Sequence, residues 1–419
     1  MQLKDTPPTS PCSNETMDYN ELFEDEVEEV IDGEAASSNN YIEANDASDE
    51  DIGIGLEGSE NSEGNNPVRD DSASVFSHHK GSVFCCHLQP KAGRLAVTGA
   101  EDDMAYVWET HSGEVVLQCK GHKDSVTCVR FNYDGSYVAT GDMSGVIQVW
   151  KIANKLQVWE TCIGDLTWLR WHHGANVLLA GTESGEVYVW RIPGGECKVL
   201  PGHGDKADCG LMLPDGKRMA IGYADGSLKI FDTKTATVLH HVPQGQAHTG
   251  TITDMDCHPD NNLLISSSVD GHAVVLKTQT GKISSVLDCK GFNSEAKSSN
   301  TSVEAVGFCQ NSSFPLAATG SLDGVLCIWD ISRGSVRHTL KQDSGITKLV
   351  WVKNSPLFYT GGLDGSIRLY DARSGILLNQ LLGHSNSILD ISFSMDFSTL
   401  LSSSDDSTAR IFSVQVPNW

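Results

Sequence analysis

One pattern recurs along most of this chain and leaves it few folds. The segment from Thr98 to Trp108 (Thr-Gly-Ala-Glu-Asp-Asp-Met-Ala-Tyr-Val-Trp) is echoed at Thr140 to Trp150, Ala180 to Trp190 and Ile221 to Phe231. A degenerate copy runs from Ser266 to Leu276, and three more run from Thr319 to Trp329, Thr360 to Tyr370 and Ser402 to Phe412. The closing residues stand at 108, 150, 190, 231, 276, 329, 370 and 412, in steps of 42, 40, 41, 45, 53, 41 and 42. Such a period marks an array of small supersecondary units, each unable to bury its apolar face alone and therefore stacked on its neighbours.

Each unit holds four short runs. In the second they are Val126 to Phe131, Tyr137 to Thr140, Val146 to Trp150 and Leu156 to Glu160. β-branched and aromatic residues favour strands there. Asp134-Gly135 and Ser144-Gly145 supply residues that tolerate the positive φ of tight hairpins. Four antiparallel strands make one blade. The expected fold is all-β: a single eight-bladed β-propeller over residues 72–419. Ser72 to Ser77 precedes the first unit as Val115 to Cys119 precedes the second, and the chain ends soon after Ile411 to Gln415. Residues 72–77 should therefore complete the eighth blade, closing the ring and removing its open sheet edges.

Gly121-His122, Gly202-His203 and Gly383-His384 near the start of a unit, with Ala247-His248 and His78-His79 as variants and a closing Trp, resemble the WD-repeat signature. The resemblance implies a hydrogen-bonded network of His, Ser/Thr, Asp and Trp inside a blade. In the first unit the matching residues are His79, Thr98, Asp102 and Trp108; in the second His122, Thr140 and Trp150. In the eighth they are His384, Ser402 and Asp406, with Phe412 in place of Trp. The third, sixth and seventh units lack the His and are expected to hold by packing alone.

Charge separates the remainder. The net charge is −25. Residues 1–71 carry 21 acids against Lys4 and Arg69, with few aromatics and no sustained apolar period. They are expected to form a disordered acidic tail, because so polar a segment cannot offset its ordering entropy. Glu21 to Ile31 mixes acids with apolar residues, as in segments that fold on a partner, and Ser48-Asp49-Glu50-Asp51 resembles an acid-directed kinase site.

Several function classes are disfavoured. The 12 cysteines form no C-x-x-C pair, and Cys85, Cys128, Cys209, Cys257, Cys309 and Cys327 lie in apolar runs, so they read as small buried hydrophobes. Cys85 and Cys86 should point to opposite faces of a strand, and His172 and His173 should likewise diverge. There is no Gly-x-Ser-x-Gly elbow, phosphate loop or zinc spacing, so no catalytic residue, metal or cofactor is expected. The acidic balance opposes direct nucleic-acid contact. No apolar run reaches the roughly 18 residues of a membrane span. With no secretory signal at the N-terminus, the chain is expected in the cytosol, with the nucleus also accessible, as a monomer.

The non-signature residues Ala96 to Asp103, Gly121 to Cys128, Ala139 to Gly145, Leu178 to Thr182 and Leu213 to Arg218, behind an acidic tail, are similar to those of the angio-associated migratory cell protein family. The likeness covers essentially the whole propeller. It implies a eukaryotic protein-binding propeller. Its fungal relatives are dedicated chaperones of one basic protein of the large ribosomal subunit, whose N-terminus they capture on an acidic propeller face. It also implies a link to cell migration in animals, so a signalling scaffold without a ribosomal client is the alternative.

In a WD blade the His loop and the Asp turn lie on one face, and acids crowd both positions here. The turns offer Glu101, Asp103, Asp142, Glu183 and Asp405; the entries to the first strands offer Asp124, Asp165, Asp208 and Glu304. Lys123, Lys206 and Lys348 interrupt the pattern. Trp168 and Tyr223 are the candidate apolar anchors, since a like-signed patch steers a basic partner but tight binding needs apolar contact.

Overall fold

The computed structural model describes residues 69–91, 93–290 and 302–415. Eight four-stranded antiparallel sheets follow one another along the chain, and no helix occurs among the described residues. Blades 1 to 7 cover residues 83–119, 126–162, 166–200, 207–242, 252–288, 303–341 and 346–381. Blade 8 joins the strands of residues 388–413 to Ser74–Phe76 from the other end of the chain. The expected closure is therefore present. Ser74 pairs with Ile411, Val75 with Arg410 and Phe76 with Ala409.

The attachment begins earlier than composition suggests. Asp71 N donates to Leu382 O at 2.8 Å while Leu382 N donates to Asp71 Oδ2 at 2.9 Å, and Arg410 donates to Asp70. These two aspartates, counted with the tail by composition, are part of the clasp. Phe76 then stacks on Trp108 of blade 1, ring centroids 4.6 Å apart. The segments Glu21 to Ile31 and Ser48 to Asp51 lie outside the described residues.

The repeat itself dictates how blades stack. The Gly of the Thr-Gly pair lies mid-strand, where the next blade's innermost strand arrives. A Cβ on Gly141 would stand 2.4 Å from Leu166 Cδ2, and one on Gly320 2.5 Å from Ile346 Cγ2. Glycine is needed there for close approach, not for turning. In the turns the expectation of positive φ holds, with Gly135 at 74° and Gly145 at 87°.

Innermost strands also carry polar ties from blade to blade. Thr167 Oγ1 donates to Ala207 O at 2.6 Å, Thr253 to Val303 O at 2.5 Å and Thr347 to Ile388 O at 2.7 Å. The thiols of Cys85 and Cys209 reach the equivalent carbonyls, Val126 O and Ile252 O, each at 3.6 Å. Cys86 points the other way, to Leu401 O of blade 8 at 3.8 Å, so the adjacent pair does diverge. All eleven cysteines among the described residues are unbridged. His172 and His173 do not diverge. They follow the strand Leu166–Trp171 in a turn, and their rings stack at 4.7 Å.

Candidate functional site

The signature residues of blade 1 meet as the resemblance implies. His79 Nδ1 lies 3.1 Å from Asp102 Oδ1, His79 Nε2 lies 2.9 Å from Thr98 Oγ1, and Trp108 Nε1 donates to Thr98 Oγ1 at 3.3 Å. In blade 8, His384 stands 2.9 Å from Asp406 and 2.8 Å from Ser402. Phe412 ends that network without a donor.

Blade 2 departs from the expected plan. Ser144 occupies the position of Asp102, so the carboxylate comes from Asp142, two residues earlier. Asp142 Oδ2 is 3.0 Å from His122 Nδ1, and its Oδ1 accepts from Ser144 Oγ at 2.7 Å. The side chain has no exposed surface. Asp142 is therefore a structural residue and not a partner-binding acid. Burial works against its ionisation, but hydrogen bonds from Lys123 N, Ser144 and His122 hold its carboxyl below the usual carboxylate range. Burial also lowers the pKa of His122, against the pull of Asp142. A neutral ring then donates from Nδ1 to Asp142 and accepts at Nε2 from Thr140 Oγ1 at 2.8 Å. Trp150 is buried but its Nε1 finds no partner, so it packs without joining the network.

Two further networks lay hidden in irregular sequence. In the degenerate fifth unit, His248 reaches Ser266 at 2.9 Å and Asp270 at 3.3 Å. Blade 7, expected to rely on packing alone, puts Gln342 in the histidine's place. Gln342 Nε2 donates to Thr360 Oγ1 at 3.2 Å and to Tyr370 OH at 3.0 Å. Blade 6 keeps a fragment, Trp329 Nε1 to Thr319 Oγ1 at 3.0 Å. In blade 4, Ile221 removes the hydroxyl, and His203 turns partly outward toward Asp225 at 3.2 Å, with Lys229 Nζ 3.0 Å from its Nδ1. His203, Asp205 and Asp225 have ligand atoms close enough for a metal. The ammonium at Nδ1 opposes a cation there.

These networks hold a crown of eight turns on one face of the ring. In every blade a turn residue donates its backbone N–H to the loop entering the innermost strand. The pairs are Glu101 to Ser82, Met143 to Ser125, Glu183 to Asp165, Ala224 to Lys206, Val269 to Thr251, Leu322 to Ser302, Leu363 to Gly345 and Asp405 to Ser387, all 2.9–3.1 Å. Eight side chains thus leave the ring from one backbone position.

Of the acids read as partner-binding, Glu101, Glu183 and Asp405 are exposed crown residues. Asp103 is exposed beside Glu101, in a turn position with φ 58° where six other blades use glycine and blade 8 uses Ser407. Asp124 and Asp165 are exposed in the entry loops. Asp208 and Glu304 lie lower, half-buried on the innermost strands Ala207–Met212 and Val303–Phe308. Burial raises the pKa of Asp208, with Lys206 opposing at 3.2 Å. Lys206 also approaches Glu183 at 3.9 Å. No ion pair involves Glu101, Asp103, Asp124, Asp165 or Asp405 among the described residues.

The expected anchors are not available to a partner. Trp168 is only 7% exposed, and a Cβ on Gly181 or Gly210 would fall within 2.3 Å of its ring, so it fills the seam between blades 3 and 4. Tyr223 has no exposed surface and packs edge-on against His203. The exposed apolar residues of this face are instead Met143, Val269 and Leu363, at 50%, 45% and 40% exposure. Their signal was positional. They occupy in their repeats the slot that Glu101 holds in the first.

Comparison with known proteins agrees with this geometry. The WD domain, G-beta repeat model matches residues 71–109, 113–151, 239–275, 291–330, 334–371 and 375–413, and the anaphase-promoting complex subunit 4 WD40 domain model matches 169–256. The chain is 44% identical to the angio-associated migratory cell protein of Canis lupus familiaris, over 83% of this chain and 81% of that protein. It is 24% identical to ribosome assembly protein SQT1 of Saccharomyces cerevisiae, over 77% and 80% of the two chains. The crystal structure of Chaetomium thermophilum Sqt1 bound to the N-terminus of ribosomal protein L10 superposes with a TM-score of 0.73 at 21% identity, over 83% of this chain and all of that one. The chain belongs to the angio-associated migratory cell protein family of WD-repeat propellers.

Proposed function

We propose that this propeller is a dedicated escort for a basic protein of the large ribosomal subunit, and that it captures that client's basic N-terminal segment on the crown. The observation that carries the reading is the run of exposed acids on blades 8, 1, 2 and 3, Asp405, Glu101, Asp103, Asp124 and Asp165, none of them neutralised by a neighbouring cation. Unpaired acids on a rigid face raise the local potential and steer a basic segment into place. Support comes from the Sqt1 structure, whose fold is shared and whose bound partner is the N-terminus of ribosomal protein L10. On this reading the chain binds without catalysing, needs no cofactor, works in the cytoplasm with access to the nucleus, and meets the ribosome through its client instead of through RNA.

A second reading, a scaffold for signalling in cell migration, has its own observation. The outermost strand of blade 7, Ile376–Leu381, exposes Ile376, Leu377 and Leu378 and carries no charge. Natural edge strands are usually blunted by charged residues. Affinity purification of the full chain from cytosol separates the two. A ribosomal protein at stoichiometric level supports the escort. Membrane or cytoskeletal proteins without it support the scaffold.

A further inference from the structure

Four consecutive blades of the crown carry no acid at this backbone position, while the other four carry three acids and Met143. From blade 4 to blade 7 the equivalent residues are Ala224, Val269, Leu322 and Leu363; from blade 8 to blade 3 they are Asp405, Glu101, Met143 and Glu183. Because all eight make the same backbone bond, the contrast lies in side-chain chemistry at one fixed position, not in differently built loops. The turn carboxylates are taken up in both halves, Asp102 by His79, Asp406 by His384 and Asp142 by His122 as Asp270 is by His248 and Asp364 by Arg368. The acidic half adds Glu101, Asp124, Asp165 and Asp405, exposed and outside any ion pair among the described residues, where the apolar half has Asp343 in an entry loop.

The frame beneath the apolar half is as firmly tied as that beneath the acidic half. Thr251 Oγ1 of blade 5 donates to Ala224 O at 3.1 Å, and Ser387 Oγ of blade 8 donates to Leu363 O at 3.2 Å. Val269 and Leu363 are thus held out to solvent at 45% and 40% exposure. Isolated exposed apolar residues need no explanation. Val269 and Leu363 exposed, with Ala224 and Leu322 half-buried at the same structural position, form an apolar arc beside the arc of acids on the same crown.

We propose that the crown is a two-part receptor for a single extended segment, a cluster of Lys or Arg seated over blades 8 to 3 joined to apolar side chains seated over blades 4 to 7. This rests on the capture reading above and specifies the class of partner: a basic segment with an apolar continuation, in preference to a uniformly basic one. The acids govern encounter and salt dependence, while the apolar arc excludes water and slows release.

The test uses the full chain and two fluorescent peptides with the same Lys/Arg cluster. One continues into Leu, Tyr and Val, the other into Ser and Gly. Expected is about tenfold tighter binding of the first peptide, largely through slower dissociation. The variant V269S/L363S, whose replaced side chains stand in solvent, should bring the two affinities together while melting as the native chain does. Equal affinities for the two peptides on the native chain, or an unchanged preference in the variant, would overturn the two-part receptor yet leave acidic capture standing. Failure of both peptides to bind would overturn both.

Discussion

Arg130 of blade 2 reaches across blade 1 to Asp390 of blade 8, with Nη1 3.2 Å from Oδ2. The same guanidinium donates to Cys86 O at 2.9 Å, and Cys86 N donates to Asp390 at 3.3 Å. Three consecutive blades of the closed ring are therefore locked by one charged link over its inner wall. Burial disfavours the carboxylate, but Arg130 and Lys348 outweigh it and hold Asp390 below the usual range. Removing one partner, as in D390A, should cost about 2–4 kcal/mol, and replacing both with apolar residues should recover part of that. Urea melts of the two single variants and the double variant would measure the coupling, and additive effects would show the link to be idle.

Blade 2 gives a sharper test of the shifted network. D142A leaves His122 and the N–H groups of Lys123 and Val146 without their acceptor, which should cost about 2 kcal/mol or more. Adding S144D restores a carboxylate where blade 1 has Asp102 and should return about half of the loss. If D142A instead melted like the native chain and lost only client affinity, Asp142 would be a binding residue after all.

Acids on the innermost strands and in the crown turns respond to pH in opposite directions. Burial, reinforced by the charge of Asp254 and opposed by Phe308 N–H, raises Asp256 to about 7. A raised carboxyl favours the fold fully below its unfolded pKa near 4, and this contribution is lost as pH climbs from about 4 to about 7. Asp270 and Asp406 are shifted the other way: burial opposes ionisation, but His248 with the N–H groups of Thr249 and His272, and His384 with Thr408 and Ser385 N–H, outweigh it, so their contribution is present near neutrality and lost in acid. D256N keeps an oxygen for Phe308 N–H and removes the titration. It should therefore stabilise the chain more at pH 8 than at pH 4.5, in denaturant melts at the two values. An equal effect at both would place Asp256 outside the pH response.

Ring closure predicts the effect of shortening the chain. A protein beginning at residue 80 lacks the Ser74–Phe76 strand, the Phe76 stack on Trp108, the Asp70 and Asp71 contacts and His79 of the blade 1 network. It should melt lower and less cooperatively than one beginning at residue 69, with blade 8 exchanging its amide hydrogens first. Equal melting curves would show the clasp to be dispensable.

The ring was legible in the sequence because its cause is local. Thr98-Gly99 to Trp108 recurs at near-constant spacing, with the Gly that admits Leu166 or Ile346 in six units and a buried serine, Ser267 or Ser403, in the other two. The tetrad of His79, Thr98, Asp102 and Trp108 was legible through the resemblance to the WD-repeat signature. Asp142 was misread because position in the repeat was taken for role. Ser144 leaves His122 without its usual carboxylate, and the nearest acid moves in to satisfy it. Trp168 and Tyr223 look like anchors in a linear reading, but whether a large side chain meets solvent or the seam depends on the neighbouring blade, here on Gly181 and Gly210. The apolar arc of the crown was present in the repeat register but visible only once one backbone bond aligned the eight turns.

Capture of a basic segment by the crown is tested most directly by titrating the full chain with the basic N-terminal peptide of ribosomal protein L10, at low and moderate salt, beside the variant E101K/D165K/E183K. Tight binding that weakens as salt rises and falls at least tenfold in the variant is the expected result. No binding at either salt, or binding indifferent to the three reversals, would contradict an acidic capture face.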